Sequence, residues 1–132
     1  PVDLGRIAIP AYVLATREDH IVPWRTAYRT MDLLSGERRF VLGASGHVAG
    51  IVNPASRNKR SFWIAPGSDA SINDPDAWLE SSQECRGSWW ADWDAWLMRY
   101  SGETVAPRRT LGNRKYRPIE AAPGRYVKQR VA

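Results

Sequence analysis

Asp19 and His47 are the pair in this chain best suited to moving a proton. Asp19 stands in TREDHIVPW and His47 in GASGHVAG, 28 positions later, and each follows a short apolar run. An imidazole, with an ordinary pKa of about 6.5, can take up and return a proton near neutrality. A carboxylate on its Nδ1–H fixes the tautomer and stabilises the imidazolium. A strand ending in Asp, then a helix, then a strand ending in a Gly-flanked His is how a nucleophile–acid–histidine triad receives its last two members. The first member is expected earlier in chain order, and nothing in this chain fits it. Cys85 lies in SQECRGSWW, without the flanking glycines or the preceding strand of a nucleophile elbow. It reads as structural or exposed. Ser45, in GASGH, has glycines at the wrong spacing and immediately precedes the histidine instead of facing it.

Plainer readings stand beside these. Asp19 also suits a loop residue that caps the following helix, and His47 suits a surface-loop histidine. Glu18 adjoins Asp19, so the pattern leaves open which carboxylate is used. His20 reads as a packing or hydrogen-bonding neighbour of the site. Asp19, His20 and His47 lack the H-x-x-x-H spacing of a zinc site, so no metal is expected.

The elements that must position the pair follow from the pattern. Ile7 to Thr16 is a nearly continuous apolar run, as in a strand covered on both faces, and Pro10 moves the strand proper to about Ala11. Pro23 opens a helix in its first turn. Trp24, Ala27, Tyr28, Met31 and Leu34 give that helix a buried stripe, and Gly36 is placed to cap its end. Arg39 to Gly43 reads as a second strand, parallel to the first and joined to it by a right-handed crossover. A short helical turn is expected over Val48 to Val52, stopping before Pro54. Ser61 to Ile64 suits a minor strand. Asp74-Pro75-Asp76 starts a helix, with an Asp cap and Pro in the first turn. Ser88 can cap the next helix, which carries Trp89, Trp93, Trp96 and Tyr100 on one face and ends at Gly102. Most of the seven tryptophans are expected in the core. Two parallel strands and a few helices cannot cover both faces of a sheet, so further sheet is expected upstream or in a partner.

The bulk numbers agree with one small globular domain. The chain has 132 residues, 43% hydrophobic and 25% charged, with a net charge of +5. No apolar run reaches the roughly eighteen residues of a membrane-spanning helix. PVDLGRIAIP has no signal-peptide pattern, and its start without Met suits a fragment or a processed chain. A single cysteine favours a reducing compartment. The positive charge is uneven. Arg57, Lys59 and Arg60 follow the His47 loop. Eight cations, Arg108, Arg109, Arg114, Lys115, Arg117, Arg125, Lys128 and Arg130, load the last quarter. Such a tail attracts phosphate, anionic surfaces or nucleic acid, or is simply solvated.

Five ordered blocks carry a family resemblance: TREDHIVPW, LLSGERRFVLGASGHVAGIVNP, NKRSFW, GSWWADWDAWL and APGRYVK. Together, from about Ile7 to Lys128, the chain resembles the C-terminal part of class I poly(3-hydroxyalkanoate) synthases. The resemblance implies an α/β fold, the C-terminal portion of an α/β-hydrolase fold lacking the upstream half of the sheet. Residues 1–105 would belong to the catalytic domain, and 106–132 would form a basic extended tail packed on it. It further implies a Cys–Asp–His triad that polymerises (R)-3-hydroxyacyl-CoA, of short side chain such as 3-hydroxybutyryl-CoA, into polyester with release of CoA. Asp19 and His47 match the triad acid and histidine, while the family's Cys lies upstream and has no match here. No metal or redox cofactor is implied, since the CoA thioester is the substrate. The implied partners are the growing polyester, the Cys-bearing segment and a second copy in a homodimer, with no nucleic acid. The implied place is the cytoplasmic surface of polymer granules. This chain alone would be inactive. A non-catalytic granule-, polymer- or polyanion-binding module of the same fold is the alternative, and an ester hydrolase with an upstream serine is a third reading.

Overall fold

A computed structural model describes residues 2–66 and 74–130. The chain divides into two compact units, residues 1–101 and residues 102–132. The first holds a four-stranded mixed sheet in the order β1 (Ala11–Thr16), β2 (Arg38–Gly43), β3 (Ser61–Ile64), β4 (Gln83–Arg86). β1 and β2 are parallel, as expected, with Ala15 opposite Leu42 and Thr16 opposite Gly43. β3 runs antiparallel to β2, and β4 antiparallel to β3. β4 escaped the sequence reading because Gln83, Glu84 and Arg86 are polar and exposed, and only Cys85 turns inward. Among the described residues β1 pairs with β2 alone and stays half-buried over Ala11–Leu14, whereas Phe40, Val41 and Leu42 of β2 are wholly enclosed.

Successive residues of a strand point to opposite faces, and the two sides of the core divide accordingly. On one face Ala15, Phe40 and Leu42 meet Trp24, Tyr28, Met31 and Trp78. These come from α1 (Trp24–Tyr28), α2 (Thr30–Leu33) and α3 (Pro75–Ser81). The rings of Tyr28 and Trp78 stand edge-on to Phe40 or tilt against one another, with centroids 4.7 to 5.6 Å apart. Asp74 caps α3 by accepting from the amides of Asp76 and Ala77. On the other face Val41 and Phe62 pack with Trp89, flanked by Tyr12, Leu14 and Cys85. There α4 (Trp90–Met98) is fastened by Asp92, which accepts from the Tyr12 hydroxyl at 2.9 Å and from Arg39 Nε at 3.0 Å. Burial, and then the neighbouring carboxylate, push the Tyr12 hydroxyl pKa up, so it remains a donor.

Three expectations need correction. The helix after Pro23 is two short pieces, and its stripe stops at Met31, because Leu34 turns extended. Arg38 ends it from below, donating to the carbonyls of Met31 and of Leu34, the latter at 2.8 Å. Gly36 is not the cap. A Cβ there would lie 2.5 Å from the Ile9 carbonyl oxygen and 2.6 Å from that of Ala8, so the glycine lets the segment leading into β1 pass against it. The tryptophan stripe of α4 is only partly core: Trp89, which precedes the helix, is buried, Trp96 half-buried, and Trp93 and Tyr100 exposed. The helix crosses the face at Tyr12 and Val41, and nothing described covers its outer side.

The second unit, described to residue 130, consists of turns at Gly112 and Gly124 and one 3-10 turn, Tyr126–Lys128, with almost every residue exposed. Among the described residues no helix is long and apolar enough to cross a membrane. We predict that Gly36→Ala, which drives a methyl into backbone, destabilises the protein by about 1–3 kcal/mol, seen as a lowered denaturation midpoint. A neutral or raised midpoint would contradict the close approach.

Candidate active site

β1 and β2 end level with one another, so the loops that follow them leave the same edge of the sheet. The amides of Arg17 and Glu18 donate to the carbonyls of Gly43 at 2.8 Å and Ser45 at 3.0 Å, which ties the first loop to the second. Ser45 takes a left-handed backbone (φ 76°) to present that carbonyl, and the chain then turns through Gly46 to His47. A helical turn follows, closed by Gly50 N to Gly46 O and Val52 N to Val48 O, both 2.8 Å. Gly50 is buried where a Cβ would lie 2.4 Å from Thr16 Cγ2 and 2.7 Å from the Ala44 oxygen. This turn therefore rests directly on the end of β1.

The two loops bring Asp19 and His47 together. Asp19 Oδ2 lies 2.8 Å from His47 Nδ1. Its other oxygen, Oδ1, accepts from the amides of Ile21 and Val22, each at 2.9 Å. Oδ2 thus partners the imidazole, whereas Oδ1 closes the loop and does not cap the following helix, whose N-cap is Pro23 with no side-chain hydrogen bond. The Asp19 side chain is 8% exposed and that of His47 46%. The Val22 amide foremost, with His47 and Ile21 adding to it against the cost of burial, holds the Asp19 pKa down at about 2. The carboxylate is then an acceptor only, so Nδ1 carries the hydrogen and a neutral ring presents Nε2 as the acceptor. Nε2 has no protein partner among the described residues. Beside the pair lies a cavity of about 200 Å³, lined by Leu14, Thr16, Val22, Ala27 and Ile51. Its walls are mainly apolar, with Thr16, Asp19 and His47 the polar residues among them, which suits proton transfer to or from a group on an apolar molecule.

The other candidates stand apart. Glu18 and His20 are exposed, and neither makes a hydrogen bond to His47. Cys85 sits on β4, the far edge strand from β1, packed near Val41, Phe62 and Trp89. No hydroxyl or thiol among the described residues is bonded to His47. Nor do the described residues gather three or more His, Cys, Asp or Glu as a metal site would. Gly50 and the backbone of Ser45 play conformational roles that carry no sequence motif. The only visible signal was the density of small residues around His47.

The fold and the pair define a mixed α/β protein with a carboxylate–imidazole couple at the end of two parallel strands. No family model matches the chain. It is 52% identical over 131 residues to the poly(3-hydroxyalkanoate) polymerase subunit PhaC of Cupriavidus necator, covering 99% of this chain and 22% of that protein. It is 42% identical over 127 residues to poly(3-hydroxyalkanoate) polymerase 2 of Ectopseudomonas oleovorans, covering 96% and 22%. It is 41% identical over 130 residues to the polymerase subunit PhaC of Rhizobium etli, covering 98% and 20%. The chain belongs to the poly(3-hydroxyalkanoate) polymerase family and spans about a fifth of the length of these relatives.

The depressed pKa makes a prediction with a definite sign. Asp19 titrates at about 2 in the folded protein against an ordinary 3.8, so the stability it contributes is present above about pH 4 and is lost as pH falls toward 2. Carboxyl-carbon NMR should find Asp19 still ionised at pH 3, and Asp19→Asn should weaken the acid dependence of stability in that window. A carboxyl that titrates at its ordinary value would contradict the geometry.

Proposed function

We propose that this chain supplies the acid and the histidine of a Cys–Asp–His triad in a class I poly(3-hydroxyalkanoate) synthase of α/β-hydrolase fold. The carrying observation is the 2.8 Å bond between Asp19 and His47 at the ends of adjacent parallel strands. The half-buried β1 also supports it. An apolar strand that pairs on one side only among the described residues suits a sheet that continues, and the relatives are several times longer than this chain. The cysteine is assigned to the upstream part of the whole protein, which also completes the sheet.

The steps follow from the chemistry of the pair. His47 Nε2 accepts the cysteine thiol proton, and Asp19 stabilises the imidazolium formed. The thiolate attacks the carbonyl of (R)-3-hydroxyacyl-CoA, with 3-hydroxybutyryl-CoA as the short-chain substrate. The carbon–sulfur bond to CoA breaks, CoA leaves as its thiol with the proton from His47, and an acyl-enzyme remains. The 3-hydroxyl of one unit then gives its proton to His47 or Asp19 and attacks the acyl-enzyme thioester of another; the bond from that carbonyl to the cysteine sulfur breaks, the thiolate leaves and takes up the proton, and the ester chain is one unit longer. Neither step calls for a metal or redox group. The working form is a homodimer at the surface of polymer granules in the cytoplasm.

A polyanion-binding role for the tail is the second reading. It is favoured by Arg108, Arg109, Arg114, Arg117, Lys128 and Arg130, all exposed, with no salt bridge to a described carboxylate. It predicts association with anionic polymer that weakens steeply with salt.

The test is CoA release from 3-hydroxybutyryl-CoA by the full-length protein containing this segment. His47→Ala is expected to lower kcat by about 10²–10⁴-fold, and Asp19→Asn by a comparable or smaller factor. Full activity in His47→Ala would overturn the triad assignment.

A further inference from the structure

We propose that Ser88, Trp89 and Trp90 are positioning residues for His47. Three consecutive side chains there hold three carbonyls of the turn that carries the imidazole. Trp89 Nε1 donates to the Gly50 carbonyl at 3.0 Å, Trp90 Nε1 donates to the Ile51 carbonyl at 3.0 Å, and Ser88 Oγ donates to the Asn53 carbonyl. The inference rests on the catalytic reading of His47 given above.

Besides these bonds the turn is held by the close fit of Gly50 against Thr16 and by Asn53, whose Nδ2 donates to the Lys59 carbonyl at 2.8 Å. From His47 to Asn53 only Gly50 and Asn53 are buried, and His47, Val48, Ala49, Ile51 and Val52 are all exposed. No large side chain of the turn therefore anchors it in the core. At its C-terminal end the Ile51 carbonyl accepts from the Asn53 amide at 3.0 Å, but no helical turn follows to supply amides to the carbonyls of Gly50 and Asn53, and such groups need outside donors. An indole N–H is a donor only, on a rigid ring, so it fixes a carbonyl in direction as well as distance. The donors are themselves fixed. Trp89 is buried, with the rings of Tyr12, Trp90 and Trp93 at centroid distances of 6.1 to 6.3 Å. The Ser88 amide donates to Asn58 Oδ1 at 3.1 Å, and Ser88 Oγ accepts from the Trp90 amide at 3.1 Å. Gly87, at φ 104°, leaves room for the Asn58 amide, which a Cβ would meet at 2.1 Å. The segment from Gly87 to Trp90 is thus a rigid bracket between β4 and α4. It sets where the turn lies, and the turn sets whether His47 reaches Asp19 and the reacting thiol.

Small displacements of a catalytic group cost rate without loss of binding. The experiment replaces each indole by phenyl in the full-length protein, which keeps an aromatic ring and removes the N–H. For Trp89→Phe and Trp90→Phe, kcat for CoA release from 3-hydroxybutyryl-CoA is expected to fall about ten- to a hundred-fold, with KM unchanged and circular dichroism unaltered. On a His47→Ala background the same substitutions are expected to cost nothing further, since groups acting through one another are not additive. Should Trp89→Phe fail to fold, Trp90→Phe, whose bond lies at the surface, carries the test. Unchanged kcat in folded Trp90→Phe, or an equal loss with and without His47, overturns the bracket. An active His47→Ala enzyme overturns the triad instead. An inactive one beside fully active tryptophan variants removes the bracket alone.

Discussion

The register of β1 against β2 is the constraint on which the site depends. Thr16 stands opposite Gly43, so both strands deliver their loops to one edge at one height. A slip of β1 by one residue against β2 would send Val13 and Ala15 to the Trp89 face and Tyr12 and Leu14 to the Trp78 face. Both apolar clusters forbid that. Tyr28, Trp78 and Phe40 fill one side, and Val41, Phe62 and Trp89 the other. Core packing thereby fixes the distance between two polar loops that contribute almost nothing to the core themselves.

Within that frame Asp19 links fold and chemistry. Oδ1 closes its own loop through the amides of Ile21 and Val22, so the carboxylate is oriented before any imidazole approaches. Oδ2 is left for His47. A group that is nearly enclosed and ionised well into acid presents the imidazole with a fixed charge, and no solvent needs to reorganise when the ring gains a proton. His47 Nε2, without a partner among the described residues, is the position at which a reacting group would meet the imidazole.

Much of this was legible in the sequence, for physical reasons that differ from residue to residue. β1, β2 and the Asp74 cap were readable because apolar runs and Asp-Pro starts are local signals. The Asp19–His47 pair was readable because two loops after two parallel strands must emerge side by side. β4 was not, since only Cys85 of its four residues faces inward. The role of Gly36 was hidden because a glycine after a helix looks like a cap, whereas the reason for it lies in Ala8 and Ile9, far away in sequence. Trp89 and Trp90 read as apolar mass, and only coordinates reveal that their polar atoms reach Gly50 and Ile51. Such indole-to-carbonyl bonds leave no periodic trace.

The proposed role of His47 is to serve a cysteine thiol supplied by the rest of the polymerase. The most direct measurement is the pH dependence of alkylation of that cysteine by iodoacetamide in the full-length protein, in a Cys85→Ser background, with and without His47→Gln. The account predicts a thiol that reacts rapidly at neutral pH and slows by about ten-fold or more when the imidazole is removed, since the thiolate is the reacting species. Identical alkylation profiles with and without His47 would contradict it.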